Sequence, residues 1–125
     1  ASKVLVSAAI LRFDAQISTY KAFLNSDSDK HPCYRCIFPK PPPANTIPTC
    51  AEAGVLGALC GVVGSLQATE SIKELNGAGV SMSGTLLMID GLNSEFRKVK
   101  IKPDPNCALC GQNPTITKST YIGSK

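Results

Sequence analysis

The sequence predicts an α/β domain in which mostly antiparallel strands pack on one long helix and a four-cysteine metal site ties the two ends together. Three observations predict it. Runs rich in β-branched and aliphatic residues occur near both ends, a long helix-spaced apolar stretch lies between them, and two Cys-x-x-Cys pairs flank nearly everything. The chain of 125 residues is long enough for one hydrophobic core and too short for two. With 43% hydrophobic and 18% charged residues it has the composition of a folded domain rather than a disordered one.

Residues 4–13 and 15–23 are rich in Val, Ile, Phe and Thr and meet near Asp14, which predicts two neighbouring strands paired as a hairpin. The polar run Asn25-Ser26-Asp27-Ser28-Asp29-Lys30 is turn material, and it delivers the chain to the first pair, Cys33 and Cys36. Pro39-Lys40-Pro41-Pro42-Pro43 and Pro48 rule out helix and central strand, so residues 39–48 predict an exposed crossing loop. Thr49-Cys50-Ala51-Glu52 fits a capping box and predicts a helix start. Val55, Leu56, Leu59, Val62, Val63, Leu66, Ile72 and Leu75 then recur at helical spacing, predicting a helix over 51–75 that stops at Asn76-Gly77. Gly54, Gly57, Gly61 and Gly64 share a face of that helix, and each weakens it by about 1 kcal/mol relative to Ala. The expected reason is close approach of another backbone. Residues 84–90 and 95–101, around Gly91-Leu92-Asn93-Ser94, predict a second antiparallel hairpin that leads to the second pair, Cys107 and Cys110. Residues 113–125 are polar and aperiodic and predict a flexible tail, leaving 1–112 as the domain.

Thirteen Lys and Arg against nine Asp and Glu give a net charge of +4, but the bases are scattered and form no phosphate-tracking stripe. Nucleic acid is not an expected partner. The most apolar stretch, residues 53–66, is too short to span a bilayer, so no membrane is expected either. Residues 1–10 are apolar after Lys3, but Arg12 and Asp14 follow at once, and the segment reads as a strand rather than a signal peptide. Paired cysteines at two-residue spacing favour metal over disulfides and predict an intracellular protein.

Cys33, Cys36, Cys107 and Cys110 can supply four thiolates to one tetrahedral ion, for which zinc is the expected metal. Seventy residues separate the pairs, far more than in an ordinary zinc ribbon, so the ion would clip the first strands to the last hairpin. Four sulfurs leave no open position for water or substrate, which predicts structural rather than catalytic zinc. A pair of redox dithiols or an iron–sulfur site are the competing readings. Cys50, at the head of the predicted helix, is either a nucleophile favoured by the helix N-terminus or a small residue at a helix start. Cys60, among Leu59, Val62 and Val63, is expected in the core. His31, the one histidine, is expected to be an exposed turn residue. Gly77-Ala78-Gly79 lacks the third glycine of a dinucleotide loop, and Asp90, Glu95 and Arg97 read as a solvated strand face.

Four ordered segments, Cys33-Tyr34-Arg35-Cys36-Ile37-Phe38-Pro39, Thr49 through Gly57, Gly64-Ser65-Leu66-Gln67-Ala68-Thr69-Glu70 and Cys107 through Gln112, resemble the MoeB/ThiF/HesA family. These are the ubiquitin-activating-enzyme-like adenylyltransferases of molybdopterin and thiamine biosynthesis, and the resemblance runs from about Lys3 to Gln112. It implies a ThiF-like fold, with structural zinc on Cys33, Cys36, Cys107 and Cys110 and the family's crossing loop at residues 37–48. Some members use a cysteine at the position of Cys50 to link covalently to a carrier protein or relay sulfur. The family's Gly-rich ATP loop and its metal-binding aspartate lie in an N-terminal half that has no counterpart here. The resemblance therefore implies the C-terminal zinc-bearing half, with ATP and magnesium expected only alongside the other half. The implied partners are a small ubiquitin-fold sulfur-carrier protein and a second copy in a homodimer, and the implied location is cytoplasmic. A stand-alone zinc-stapled protein-binding module without catalysis is the alternative.

Overall fold

The structure, a computed structural model, describes residues 2–43, 46, 48 and 50–117, without the side chains of Cys50 and Ala51. Four strands, β1 (Leu5–Leu11), β2 (Asp14–Tyr20), β3 (Thr85–Asp90) and β4 (Glu95–Lys100), make one antiparallel sheet in the order β1-β2-β3-β4. Both expected hairpins are present. Arg12 and Phe13 join the first pair of strands, with Arg12 in the left-handed region at φ 55°. Asp90 fastens the second turn: its carboxylate accepts from the N–H groups of Leu92 and Asn93 at 2.9 and 3.0 Å and from the Asn93 side chain at 2.7 Å. The Asn93 side-chain bond, then the backbone donors, hold the Asp90 carboxyl below its ordinary value.

The central pairing is between β2 and β3, with Asp14 opposite Asp90 and Ile17 opposite Leu87. Alternate residues of a strand face the same side, and on one side of these two strands Ala15, Ile17, Leu87 and Ile89 are buried. Helix α3 (Gly57–Asn76) covers that side by packing on β1 and β2, and it adds Leu59 and Val63 to the core. Gln67 Nε2 also donates to the Val6 carbonyl at 2.9 Å. β4 is exposed along its whole length and leaves one sheet edge open.

The helix expected over 51–75 is two helices. The one-turn α2 (Cys50–Ala53) precedes α3, and the break falls at Gly54, whose φ of 72° no helix accommodates. The broken segment pairs instead with the first hairpin: the Arg12 N–H donates to the Gly54 carbonyl at 3.1 Å, and the Leu56 N–H to the Arg12 carbonyl at 2.9 Å. Thr49, the expected capping residue, lies outside the described residues. The expected stop is observed, with Gly77 at φ 63° and the Ala78 N–H donating to the Lys73 carbonyl at 3.1 Å.

Two expectations about α3 fail for one reason. Gly57, Gly61 and Gly64 are exposed, and among the described residues a Cβ added to any of them would meet nothing within 4 Å. Among the described residues no backbone closes on that face. Leu59, Val63 and Glu70 form the buried stripe, which points the glycines away from the sheet. Cys60 is likewise exposed rather than in the core, because one residue's advance from Leu59 turns the side chain by about 100°. Among the described residues no helix is long and apolar enough to cross a membrane.

Candidate metal centre

The first knuckle is a single helical turn. Cys33 is the N-cap of α1 (Tyr34–Ile37), and the Cys36 N–H donates to the Cys33 carbonyl at 3.1 Å, which brings the two sulfurs to 3.8 Å. Tyr34 stacks edge-on against Tyr20 of β2 at 5.6 Å between ring centroids and lies 4.9 Å from Phe38, so the turn sits on an aromatic base. Pro32 is fully buried immediately before it. His31 is not the exposed turn residue the sequence predicts. Its side chain is only 15% exposed, and its imidazole contacts Ser83 at 3.0 Å and Asp29 at 3.2 Å.

The second knuckle closes on itself. The Cys107 N–H donates to the Asp104 carbonyl at 3.0 Å, and the N–H groups of Gly111 and Gln112 return to the carbonyls of Cys107 and Pro105, both at 2.9 Å. A Cβ at position 111 would stand 2.5 Å from the Cys107 carbonyl oxygen and 2.6 Å from that of Pro105, so only glycine fits the turn. The N–H groups of Thr115 and Ile116 both donate to the Ala108 carbonyl at 2.9 Å, which ties the start of the tail to the same turn; residues 118–125 lie outside the described residues.

The fold brings the two knuckles together. Cys33 and Cys107 Sγ lie 3.5 Å apart, Cys36 and Cys110 Sγ 3.4 Å apart, and all four sulfurs fall within 4.8 Å of one another. A tetrahedral zinc with bonds of about 2.3 Å has sulfur–sulfur edges of about 3.8 Å, so the donor set has the size and chemistry of a four-thiolate site. Cys33 and Cys107 are buried and Cys36 and Cys110 half-buried. Backbone N–H groups point at the sulfurs, from Asp104 to Cys36 at 3.4 Å and from Leu109 to Cys107 at 3.5 Å.

Burial pushes the Cys33 thiol up, and burial together with the neighbouring sulfurs pushes that of Cys110 well up. At Cys107 burial also acts upward, but the backbone donors of Cys110 and Leu109 and the adjacent thiols outweigh it and bring the group down to about 7. A cluster of this kind resists carrying four negative charges by itself. A divalent cation at its centre would offset that repulsion.

Cys50 opens α2, but its side chain lies outside the described residues. Beside the four cysteines lies an open cavity of about 780 Å³, lined by Leu5, Tyr20, Phe23, Tyr34, Leu109 and Pro114 among others. Sequence reasoning missed it, because its walls come from segments more than seventy residues apart.

Comparison with known proteins bears on this arrangement. The model of the ThiF family matches residues 1–109. The chain belongs to the ThiF family. It is 46% identical over 119 residues to "Adenylyltransferase and sulfurtransferase MOCS3" of Mus musculus, covering 94% of this chain and 25% of that protein. To the "Sulfur carrier protein adenylyltransferase" of Thermus thermophilus it is 47% identical over 113 residues, covering 90% of this chain and 41% of that protein. The ThiF-family chain thus spans a quarter to two-fifths of the length of these relatives. The crystal structure of E. coli MccB superposes with a TM-score of 0.64 at 12% identity, covering 96% of this chain and 36% of that one, and so shares the fold.

Proposed function

We propose that this chain is the zinc-bearing C-terminal part of an adenylyltransferase that uses ATP to activate the C-terminal carboxylate of a ubiquitin-fold sulfur-carrier protein. The observation that carries the reading is the convergence of Cys33, Cys36, Cys107 and Cys110 within 4.8 Å in a chain of the ThiF family. The names of its relatives, adenylyltransferase and sulfurtransferase, and adenylyltransferase of a sulfur carrier protein, support the activity. In that reaction a carboxylate oxygen attacks the α-phosphorus of ATP and pyrophosphate leaves. The resulting acyl adenylate carries AMP as a good leaving group for a sulfur nucleophile.

Within the reaction these residues have a supporting part. The four thiolates hold zinc as a structural clip with no open position for substrate, and the segment adds surface for the carrier. ATP and magnesium bind to the other half of the family domain. Cys50 is retained as a candidate for covalent linkage to the carrier or sulfur relay. The reading includes a homodimer and a cytoplasmic location, where thiols stay reduced, and serves molybdopterin or thiamine synthesis.

An ATP–pyrophosphate exchange assay with the carrier, run beside elemental analysis, tests this. The expected result is one zinc per chain, no exchange by these 125 residues alone, and exchange once they are joined to a nucleotide-binding half. Exchange by the chain alone, or its failure after joining, overturns the reading, and the second result favours a zinc-stapled binding module. A Cys50→Ser variant of the joined protein that keeps full activation and sulfur transfer ends the role of Cys50.

A further inference from the structure

We propose that Asn25 and His31 are positioning residues for the metal, bracing the first knuckle against the sheet and so slowing the metal's escape. The proposal rests on reading the four cysteines as a metal site. The first knuckle is closed by two backbone bonds, from the Cys36 N–H to the Cys33 carbonyl at 3.1 Å and from the Phe38 N–H to the Tyr34 carbonyl at 3.0 Å, and the chain leading into it is held by side chains. Asn25 Oδ1 accepts from the His31 N–H at 2.6 Å while Asn25 Nδ2 donates to the His31 carbonyl at 3.1 Å. One amide side chain thus takes both backbone groups of the residue two before Cys33.

The imidazole fixes the same point from the other side. His31 Nε2 lies 3.2 Å from Asp29 Oδ2, and His31 Nδ1 is hydrogen-bonded to the Ser83 hydroxyl at 3.0 Å. Asp29 is 72% exposed, and an exposed partner contributes little, so the Ser83 contact carries the brace. Ser83 leads into β3, and its N–H donates to Ser81 Oγ at 3.1 Å. Ser81 in turn bonds Glu74 of α3, and Lys21 Nζ, just after β2, lies 3.2 Å from Glu74 Oε2. His31 is therefore connected to a helix end and two strand ends.

Between His31 and Cys33 stands only Pro32, fully buried and fixed in φ, so displacement at His31 is passed on to the first sulfur. Release of an ion from four thiolates begins when one knuckle swings away. The second knuckle is stiffened by its own backbone, and the brace makes the first resist as well.

The test uses the whole chain loaded with zinc or cobalt. It reads zinc transfer to excess chromophoric chelator, cobalt ligand-field bands and thermal unfolding in the wild type and in Asn25→Ala, His31→Ala, His31→Gln, Ser83→Ala and Val63→Ala. Removing groups that orient metal ligands costs about ten- to a hundredfold in metal binding. Asn25→Ala and His31→Ala are expected to release zinc about tenfold faster with shifted cobalt bands, with His31→Gln recovering most of the wild-type rate. Val63→Ala weakens the core remote from the knuckles and is expected to melt lower yet release zinc at the wild-type rate. Wild-type release rates in the Asn25 and His31 variants overturn the proposal, and so does equal acceleration by Val63→Ala. Should His31→Ala fail to fold, Ser83→Ala decides, with severalfold acceleration expected and an unchanged rate fatal. A wild-type chain without stoichiometric metal overturns both this proposal and the metal-site reading, whereas unchanged variants of a metal-loaded chain overturn this one alone.

Discussion

The two cysteine pairs have the same spacing and offer the same sulfurs, but they are held in place by different parts of the molecule. Cys107 and Cys110 stand in a turn whose backbone-to-backbone hydrogen bonds, among the described residues, run between residues 104 and 116. Cys33 and Cys36 stand on a one-turn helix steadied by residues as distant as Ser83 and Tyr20. One knuckle is a product of local backbone geometry; the other depends on the sheet being assembled. A single short motif can thus be stabilised locally or at long range, and substitutions separate the two cases.

The largest effect is expected from the ligands themselves. Cys36→Ser or Cys110→Ser should abolish stoichiometric zinc in elemental analysis and lower the melting temperature by roughly 10 °C or more, because metal binding is part of the folding free energy. The two should be equally damaging, since the ion needs both knuckles however each is built. Next, Gly111→Ala forces a Cβ against the carbonyls of Cys107 and Pro105 and should cost about 3 kcal/mol in chemical denaturation. It should disturb the second knuckle while the Tyr20–Tyr34 contact persists. Leu59→Ala, in the core and away from both knuckles, should cost about 2 to 3 kcal/mol with unchanged cobalt spectra in the folded protein.

The smallest effect concerns Glu74, which ends the polar chain that reaches the first knuckle. Burial acts to raise its carboxyl, but the bonds from Ser81 and Lys21 and the Lys21 charge outweigh burial and hold it below 4.5. A depressed native value means the stabilisation is present above the unfolded value and is lost as pH falls through the native one. Glu74→Gln should therefore cost about 1 kcal/mol at neutral pH, and its difference from wild type should shrink below about pH 4 in paired denaturation curves.

Much of this fold was legible because its signals are local. Runs of β-branched residues around short turns identified both hairpins, the spacing of Val63, Leu66 and other apolar residues identified α3, and Asn76-Gly77 identified its end. The error over 51–75 arose because helical periodicity continues through Gly54, while the break is decided by pairing with Arg12, forty-two positions earlier. The misplacement of Cys60 had a similar source, since apolar neighbours in sequence do not say which side of a helix meets the sheet. For His31 there was no local signal at all, because its main partner Ser83 arrives only when β3 docks on β2.

By itself the sequence determined the strands, the turns and the presence of two sulfur pairs, since each is written in the spacing of neighbouring residues, and its ordered motifs carried the resemblance to the family. Only the tertiary structure decided that β2 pairs with β3 across the intervening helix, that the four sulfurs meet, and that the glycines of α3 face outward. Chain geometry restricts what adjacent residues can do, whereas contacts between distant segments follow from which surfaces bury together, and that is settled only when the whole core forms.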